Sequence, residues 1–343
     1  MTAHSELTKK VVGHNGAAHT ESSVRAKIVV NLQRVALPFA WLLLIIGFGI
    51  HSPKTFLTAA NFQTMFGSQA VLLVLTLALI IPLTAGDYDL SVASVMGLSA
   101  MLVAVLNVRH GWPVGVVILV ALLVGVVVGL ANGFIMIFFG IDSLIVTLGM
   151  GTLLSGMTLW ISNSETISGV SQGLVDAVTT YRIFGISLAF YYGLLVCVIM
   201  WYVFEFTAVG RRLLFVGRGR SVARLSGVKV NRVRITSLVV ASSLASLAGI
   251  FYAGTTGGAD PSSSATFLLP AFAAAFLGAT SIMPGKFNPW GTLLAVYFLV
   301  TGITGLQLLG VPSFVQQLFY GGALLTAVAL SQLTRGRVPL EAN

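Results

Sequence analysis

"PVGVVILVALLVGVVVGLANGFIMIFF", residues 113–139, runs without one charged side chain. At about 1.5 Å per residue, a helix of this length more than crosses the roughly 30 Å hydrocarbon core of a bilayer. A strand in lipid would leave backbone N–H and C=O groups unpaired, so the run reads as a membrane-spanning helix. Gly125, Gly129 and Gly133 recur in it at four-residue spacing, a face that lets another backbone come close. Asn132, beside Gly133, is an amide inside the span: it either bonds a neighbouring helix or lines a path.

The whole chain follows this pattern. Of its 343 residues, 56% are hydrophobic and only 8% charged, against about 25% charged in a soluble domain. Further apolar segments lie at about 35–50, 65–84, 91–107, 143–162, 187–206, 235–254, 266–282, 290–309 and 312–332. Turn residues break them apart, among them "HSPKT", "GDYD", "HGWP", "GIDS", "MPGKFNP" and "GVP". The fold class is therefore an all-α polytopic membrane protein of about ten transmembrane helices. Residues 1–33 read as a polar, disordered tail, 34–333 as the membrane domain, and 334–343 as a short second tail. Nothing in the first residues reads as a removable signal peptide.

Placing both termini in the cytoplasm leaves only Lys54, Arg109 and Arg182 of the 19 Lys and Arg outside. That asymmetry is what the excess of cations on cytoplasmic loops produces, and it fits the net charge of +9. It points to a multi-pass membrane protein with both termini on the cytoplasmic side. The single cysteine, Cys197, has no partner for a disulfide.

Eight cations fall in one connection, 207–234: Arg211, Arg212, Arg218, Arg220, Arg224, Lys229, Arg232 and Arg234, with no Asp or Glu among them after Thr207. One reading is a topology signal that touches anionic lipid. The other is a docking element for a cytoplasmic partner. "SVARLSG" (221–227) supports the second, because it reads as a short helix capped by Ser221 and stopped by Gly227. Val222, Leu225 and Val228 then line up on one face. Basic residues without interleaved aromatics at a membrane surface exclude a nucleic-acid partner.

Four segments, in order, resemble the permease subunits of ATP-binding-cassette (ABC) sugar importers of the ribose/xylose/galactose type. They are "LTAGDYDLSVASVMGLSAML" (83–102), "GLANGFIMIFFGIDSLIVTLGMGTLLSG" (129–156), "SVARLSGVKVNRVRI" with the following helix (221–254), and "GTLLAVYFLVTGITGLQLLGVPSFVQQ" (291–317). The resemblance implies that Arg218, Arg220, Ser221, Val222, Ala223, Arg224, Leu225, Ser226 and Gly227 form the helix that couples to an ATPase subunit. It further implies a second permease subunit, an extracytoplasmic sugar-binding protein, surrounding lipid, and ATP-Mg on the ATPase rather than on this chain. External loops 163–186 and 255–265 would meet the binding protein through Glu165, Asp176 and Asp260.

Other residues admit two readings. In "GDYDLS" (86–91), Asp89 or Ser91 is expected to cap the next helix, while Asp87 and Asp89 could instead relay protons in a secondary transporter. Thr147, Thr152 and Ser155 join Asn132 as candidates for a translocation path or for interhelical bonds. Leu268 to Pro270 stand where the family carries an acidic pair, and Pro270 reads as the first residue of a helix. "MPGKF" lacks the spacing and the Ser/Thr of a phosphate loop. No nucleophile constellation or metal-ligand cluster is present, so the chain is not expected to be an enzyme. A non-transporting scaffold that recruits partners through the arginine segment is the third reading.

Overall fold

The computed structural model describes residues 34–334. The tails expected at 1–33 and beyond Thr334 lie outside the described residues. In order the chain forms α1 (Arg34–His51), α2 (Pro53–Phe56), α3 (Ala59–Ser68), α4 (Ala70–Thr84), α5 (Val92–Ala104), α6 (Val114–Phe138), α7 (Ser143–Ser162), α8 (Gln172–Val175) and α9 (Leu188–Phe206). Then follow α10 (Ala208–Arg218), α11 (Arg220–Leu225), α12 (Val230–Thr256), α13 (Ala265–Gly278), α14 (Pro289–Leu308) and α15 (Phe314–Thr334). Every apolar segment expected from the sequence is helical. Eight of the resulting spans are long and apolar enough to cross a membrane, α3 and α4 counting as one. The helix α13 and the apolar part of α15 are shorter: the 14 residues of α13 reach only about 21 Å.

The helix α4 is apolar all round, and all 15 of its residues are buried. Such a helix has no solvent or lipid face to offer and must sit inside other helices. It is enclosed by α5, α9, α12, α13 and α14. The long α12 also packs along α6, and the glycine stripe explains how. A methyl group on Gly125 would meet Ser242 and Ser246, on Gly129 Val239, and on Gly133 Ile235. All three glycines face α12 within this subunit, so the backbones approach as closely as small residues allow.

Pro270 corrects an expectation. It does not open a helix; α13 begins five residues earlier, at Ala265, and Pro270 is buried inside it. Its ring has no N–H to give to the carbonyl of Thr266. In a membrane helix such a break is tolerated where the helix lines a polar cavity, and both Thr266 and Pro270 line one, as described below.

At the other end of α5, short pairings tie the connections together. The strand β1 (Ile167–Ser168) pairs antiparallel with β4 (Gly258–Ala259), Ile167 opposite Ala259, and β2 (Arg182–Ile183) pairs with β3 (Ile186–Ser187). Arg109 bonds Glu165 at 2.8 Å, and Thr166 donates to Asp260 at 2.7 Å. Of the carboxylates expected to meet a binding protein, Glu165 is thus neutralised within the subunit. Asp176 accepts from Gln172 and Asp260 from Ser262, bonds that hold both carboxyls below the usual carboxylate range. Both stay charged on this face.

Candidate functional site: a clamped basic helix and a polar cavity

The basic segment is folded against the helix bundle. Thr207 ends α9 and caps α10, its hydroxyl accepting from Gly210 N–H at 3.4 Å and donating to the Val203 carbonyl at 2.6 Å. The turn is tight, and a side chain on Gly210 would strike the backbone of Phe204. Beneath the segment, Val216, Ala223 and Val230 form a small buried apolar knot that joins α10, α11 and α12.

The short helix α11 stops as the sequence indicates. Gly227 takes φ = 81°, open to glycine without a Cβ penalty. The N–H groups of Gly227 and Val228 close back onto Arg224 and Ala223 at 3.1 and 3.0 Å, a helix-ending motif. The start differs from expectation. Gly219 precedes the helix, with no side-chain cap, and Ser221 lies inside α11. The loss is made good elsewhere, because Arg220 at the first position is held by an ion pair. Val222 and Leu225 project outward, Leu225 being 90% exposed.

That ion pair centres on Asp87, a residue the sequence offered only as a proton carrier. Asp87 is fully buried at the end of the turn after α4. Its Oδ1 accepts from Arg220 Nη2 at 2.8 Å and from Arg234 Nη2 at 2.6 Å, and its Oδ2 from Arg234 Nε at 2.8 Å. Arg220 also donates to the Gly86 carbonyl at 2.7 Å. One carboxylate therefore ties the first turn of α11 and the first turns of α12 to the end of the central α4. The neighbouring backbone is equally close, since a side chain on Gly217 would overlap the Thr84 carbonyl. The other six cations of the segment are exposed.

Beside this clamp lies a buried polar network. Asp89 Oδ1 accepts from Ser91 Oγ at 2.6 Å and from Ser91 N–H at 2.9 Å. Asn132 Nδ2 donates to Ser91 Oγ at 2.9 Å. Ser91 occupies the position before α5, but its hydroxyl caps nothing, being engaged with Asp89 and Asn132. The cap expected of Ser91 is replaced by an interhelical link, while Asp89, the alternative, accepts the Ser91 N–H just ahead of α5. Thr147 belongs to the same region, its Oγ1 accepting from Leu90 N–H at 3.0 Å, while Ser143 Oγ accepts from Tyr88 N–H at 3.1 Å. Of the four residues proposed for a path, Asn132 and Thr147 fasten the α4–α5 connection to α6 and α7. Ser155 Oγ lies 3.2 Å from Ser94 Oγ. Thr152 is exposed, bonded only to its own helix at Leu148.

Asp89 Oδ2 and Asn132 Oδ1 are buried without a donor. Burial pushes the Asp89 carboxyl up to about 6, against the opposing pull of the Ser91 bonds, and protonation removes one of the two unpartnered acceptors. The folded value lies above the unfolded one of about 3.9. The resulting stabilisation is full below the unfolded value and is lost as pH rises through about 6. Thermal unfolding of the purified chain should therefore show a midpoint that falls between about pH 4 and about 6 and levels off above, and Asp89→Asn should flatten that slope. An unchanged slope in the variant would assign the titration to another group.

A second feature lies at the opposite end of α4. A cavity of about 300 Å³ opens between α4, α13, α14 and α15, lined by Gln69, Thr266, Pro270, Thr304, Gln307, Gln316 and Tyr320 with Phe267. Beside the aliphatic Leu72, Val300 and Ile303, its lining holds amides, hydroxyls and aromatic rings, and no charged side chain. Such a set hydrogen-bonds neutral hydroxyl-rich solutes and presents rings to their C–H faces. Thr266 and Pro270 of α13 belong to the same wall. Gln69 immediately precedes α4 and Asp87 follows it by three residues, so one buried helix of about 22 Å joins the cavity to the clamp. Among the described residues no group of His, Cys, Asp or Glu could hold a metal ion.

Residues 61–328 match the family described as branched-chain amino acid transport system / permease component. The chain is 28% identical over 286 residues to the D-allose transport system permease protein of Escherichia coli (strain K12), covering 83% of this chain and 87% of that one. It is 28% identical over 301 residues to the autoinducer 2 import system permease protein of Salmonella typhimurium, covering 86% and 90%. It is 30% identical over 328 residues to the L-arabinose ABC transporter permease protein of Azospirillum brasilense, covering 94% of each. No solved structure matches the chain.

Proposed function

This chain belongs to the family of transport-system permease components, and from that premise we propose that it is the membrane subunit of an ABC importer for a small neutral sugar or polyol. The observation that carries the reading is the pairing of a charge-free polar cavity with a clamped, projecting helix at the two ends of α4. The cavity supplies a place for a hydroxylated solute; the helix supplies a rigid lever. In this reading α11 docks on a cytoplasmic ATPase subunit, which holds ATP-Mg. A second permease subunit completes the path and a binding protein delivers the solute to the face carrying β1–β4. The segment 207–234 and both termini then lie in the cytoplasm of a bacterium, consistent with the distribution of Lys and Arg.

Asp87, paired to two arginines, serves as an anchor here, and a proton relay through it would first have to break both ion pairs. The test is uptake in vesicles holding the chain with its ATPase and binding protein, supplied with labelled pentoses and hexoses. Uptake should require ATP and ignore a proton-gradient uncoupler. Gln307→Ala and Gln316→Ala should each raise the half-saturating sugar concentration about five- to tenfold, the worth of one lost hydrogen bond of roughly 1 kcal/mol. Uptake that persists without an ATPase would sink the reading, and unaltered half-saturation in both variants would move the solute elsewhere.

A further inference from the structure

Six of the eight cations in 207–234 are not used by the clamp, and three of them converge. Arg212, Lys229 and Arg232 line a cavity of about 450 Å³ whose remaining walls are Val233 and the turn Ser226–Val228 after α11. None of the three makes a side-chain hydrogen bond or ion pair with another described residue, and no carboxylate lines the cavity. Arg212, Arg232 and Val233 are shared with a second cavity of about 480 Å³ between α9, α10 and α12. Its walls are otherwise almost wholly apolar, among them Met200, Phe204, Leu213, Val240 and Leu244.

An apolar groove on a membrane helix is ordinary, and so is an exposed arginine at a membrane edge. Their continuity is not. The sharp turn at Thr207 folds α10 back so that its buried face, Leu213, closes the groove while Arg212 guards the mouth. A ligand that satisfies both cavities has an anionic head and a hydrocarbon tail.

We propose that the joined cavities bind one anionic phospholipid, its phosphate held among Arg212, Lys229 and Arg232 and an acyl chain lying in the groove between α9, α10 and α12. The charge complementarity selects the lipid: three unpaired cations and no acid repel nothing in a phosphatidylglycerol headgroup and gain from its net charge. A zwitterionic headgroup brings its own cation into the same pocket and loses that gain. The site stands apart from the transported solute, sharing with the proposed function only the placement of the segment at a membrane surface. Because the site abuts α11, bound lipid would brace the side of α10 and α12 that the Asp87 clamp does not reach.

The test is native mass spectrometry of the full chain, delipidated in detergent, titrated with phosphatidylglycerol, with phosphatidylcholine of the same chains, and with inorganic phosphate. One phosphatidylglycerol per chain should bind at least tenfold more tightly than phosphatidylcholine. Arg212→Gln and Arg232→Gln should each weaken it about fivefold, the worth of one juxtamembrane cation against anionic lipid. Arg212→Lys should keep most of the binding, and Arg211→Gln and Arg218→Gln, outside both cavities, should leave it unchanged. Val240→Trp fills the groove and should weaken the lipid without touching any cation, which keeps the idea testable where an arginine variant does not fold. Equal affinity for both lipids, or equal losses in the control arginines, would overturn a defined site in favour of diffuse charge. Full displacement by millimolar inorganic phosphate, with Val240→Trp silent, would reassign it to a free anion. Arginine variants that keep the lipid but lose a cytosolic protein would make it a protein contact.

Discussion

Asp87→Asn is expected to loosen three elements with a single isosteric change. The carboxylate is fully buried and is the shared partner of Arg220 and Arg234, whose side chains are 42% and 13% exposed. Asparagine keeps the shape but presents an amide to two guanidinium groups and removes the charge that holds them together. Removing one partner of a buried pair costs about 3–5 kcal/mol, because the other charge is left without compensation. Water at the more exposed Arg220 will absorb part of that, so the low end of the range is expected. The thermal midpoint of the purified chain should fall by several degrees, and ATP-driven uptake should fall further than the stability loss explains, because α11 is no longer fixed to α4. The partners rank in advance: Arg234→Gln should cost more than Arg220→Gln, since Arg234 is less exposed and makes two bonds to the carboxylate. A double-mutant cycle of Asp87→Asn with Arg234→Gln should be strongly non-additive, by more than about 1 kcal/mol. Additive effects would mean that the clamp contributes nothing beyond its separate parts.

The membrane architecture was legible because it depends on local composition. A span needs about 20 apolar residues, and each of the ten apolar segments is helical, with 143–162 recovered to the residue. Where the structure departs from the local sequence pattern, the deciding contact is remote in sequence. Pro270 looks like a first-turn proline until Thr266 is seen to face a cavity built by three other helices. Ser221 satisfies the local rule for a cap, yet Arg220 is held by a carboxylate 133 residues away. Gly227, by contrast, acts through its own φ and was readable as a stop.

The same distinction separates the site residues. Polar side chains stand out in the apolar spans at Asn132, Thr147, Thr152 and Ser155, but periodicity does not say which helix each one meets. Asn132 and Thr147 turn out to bond the α4–α5 connection. Gln69, Gln307 and Gln316 carry no such mark, because each sits at or near the end of an apolar segment, where amides are commonplace. Only the packing of α4, α13, α14 and α15 gathers them. A usable signal was present all the same: three glutamines at the ends of apolar segments that would lie on one side of the membrane in the expected topology.

Leu225→Asp should separate folding from coupling more sharply than any other change. Leu225 is 90% exposed and Val222 56% exposed, on a helix whose Ala223 is packed in the apolar knot below. A fully exposed leucine contributes nothing to the stability of the isolated subunit, so the aspartate variant should insert, purify and unfold as the wild type does. Ala223→Asp, on the same short helix, should fail to fold, because it buries a charge among Val216 and Val230. If α11 docks on an ATPase subunit, Leu225 is the anchor. Burying a leucine side chain is worth roughly 1.5–3 kcal/mol, and an aspartate in the same apolar socket adds a desolvation penalty. Binding of the ATPase should then weaken by at least about thirtyfold, the loss typical of an interface hot spot of 2 kcal/mol or more. Pull-down of the ATPase by the immobilised chain measures this directly, with thermal unfolding of the same sample as the control. Undiminished ATPase binding in the folded variant would remove α11 as the coupling element. The exposed arginines would then be left as signals for orientation and lipid. Loss of the ATPase at unchanged stability would place the lever at this helix, with Asp87 as its fixed end and α4 as the shaft that reaches the polar cavity.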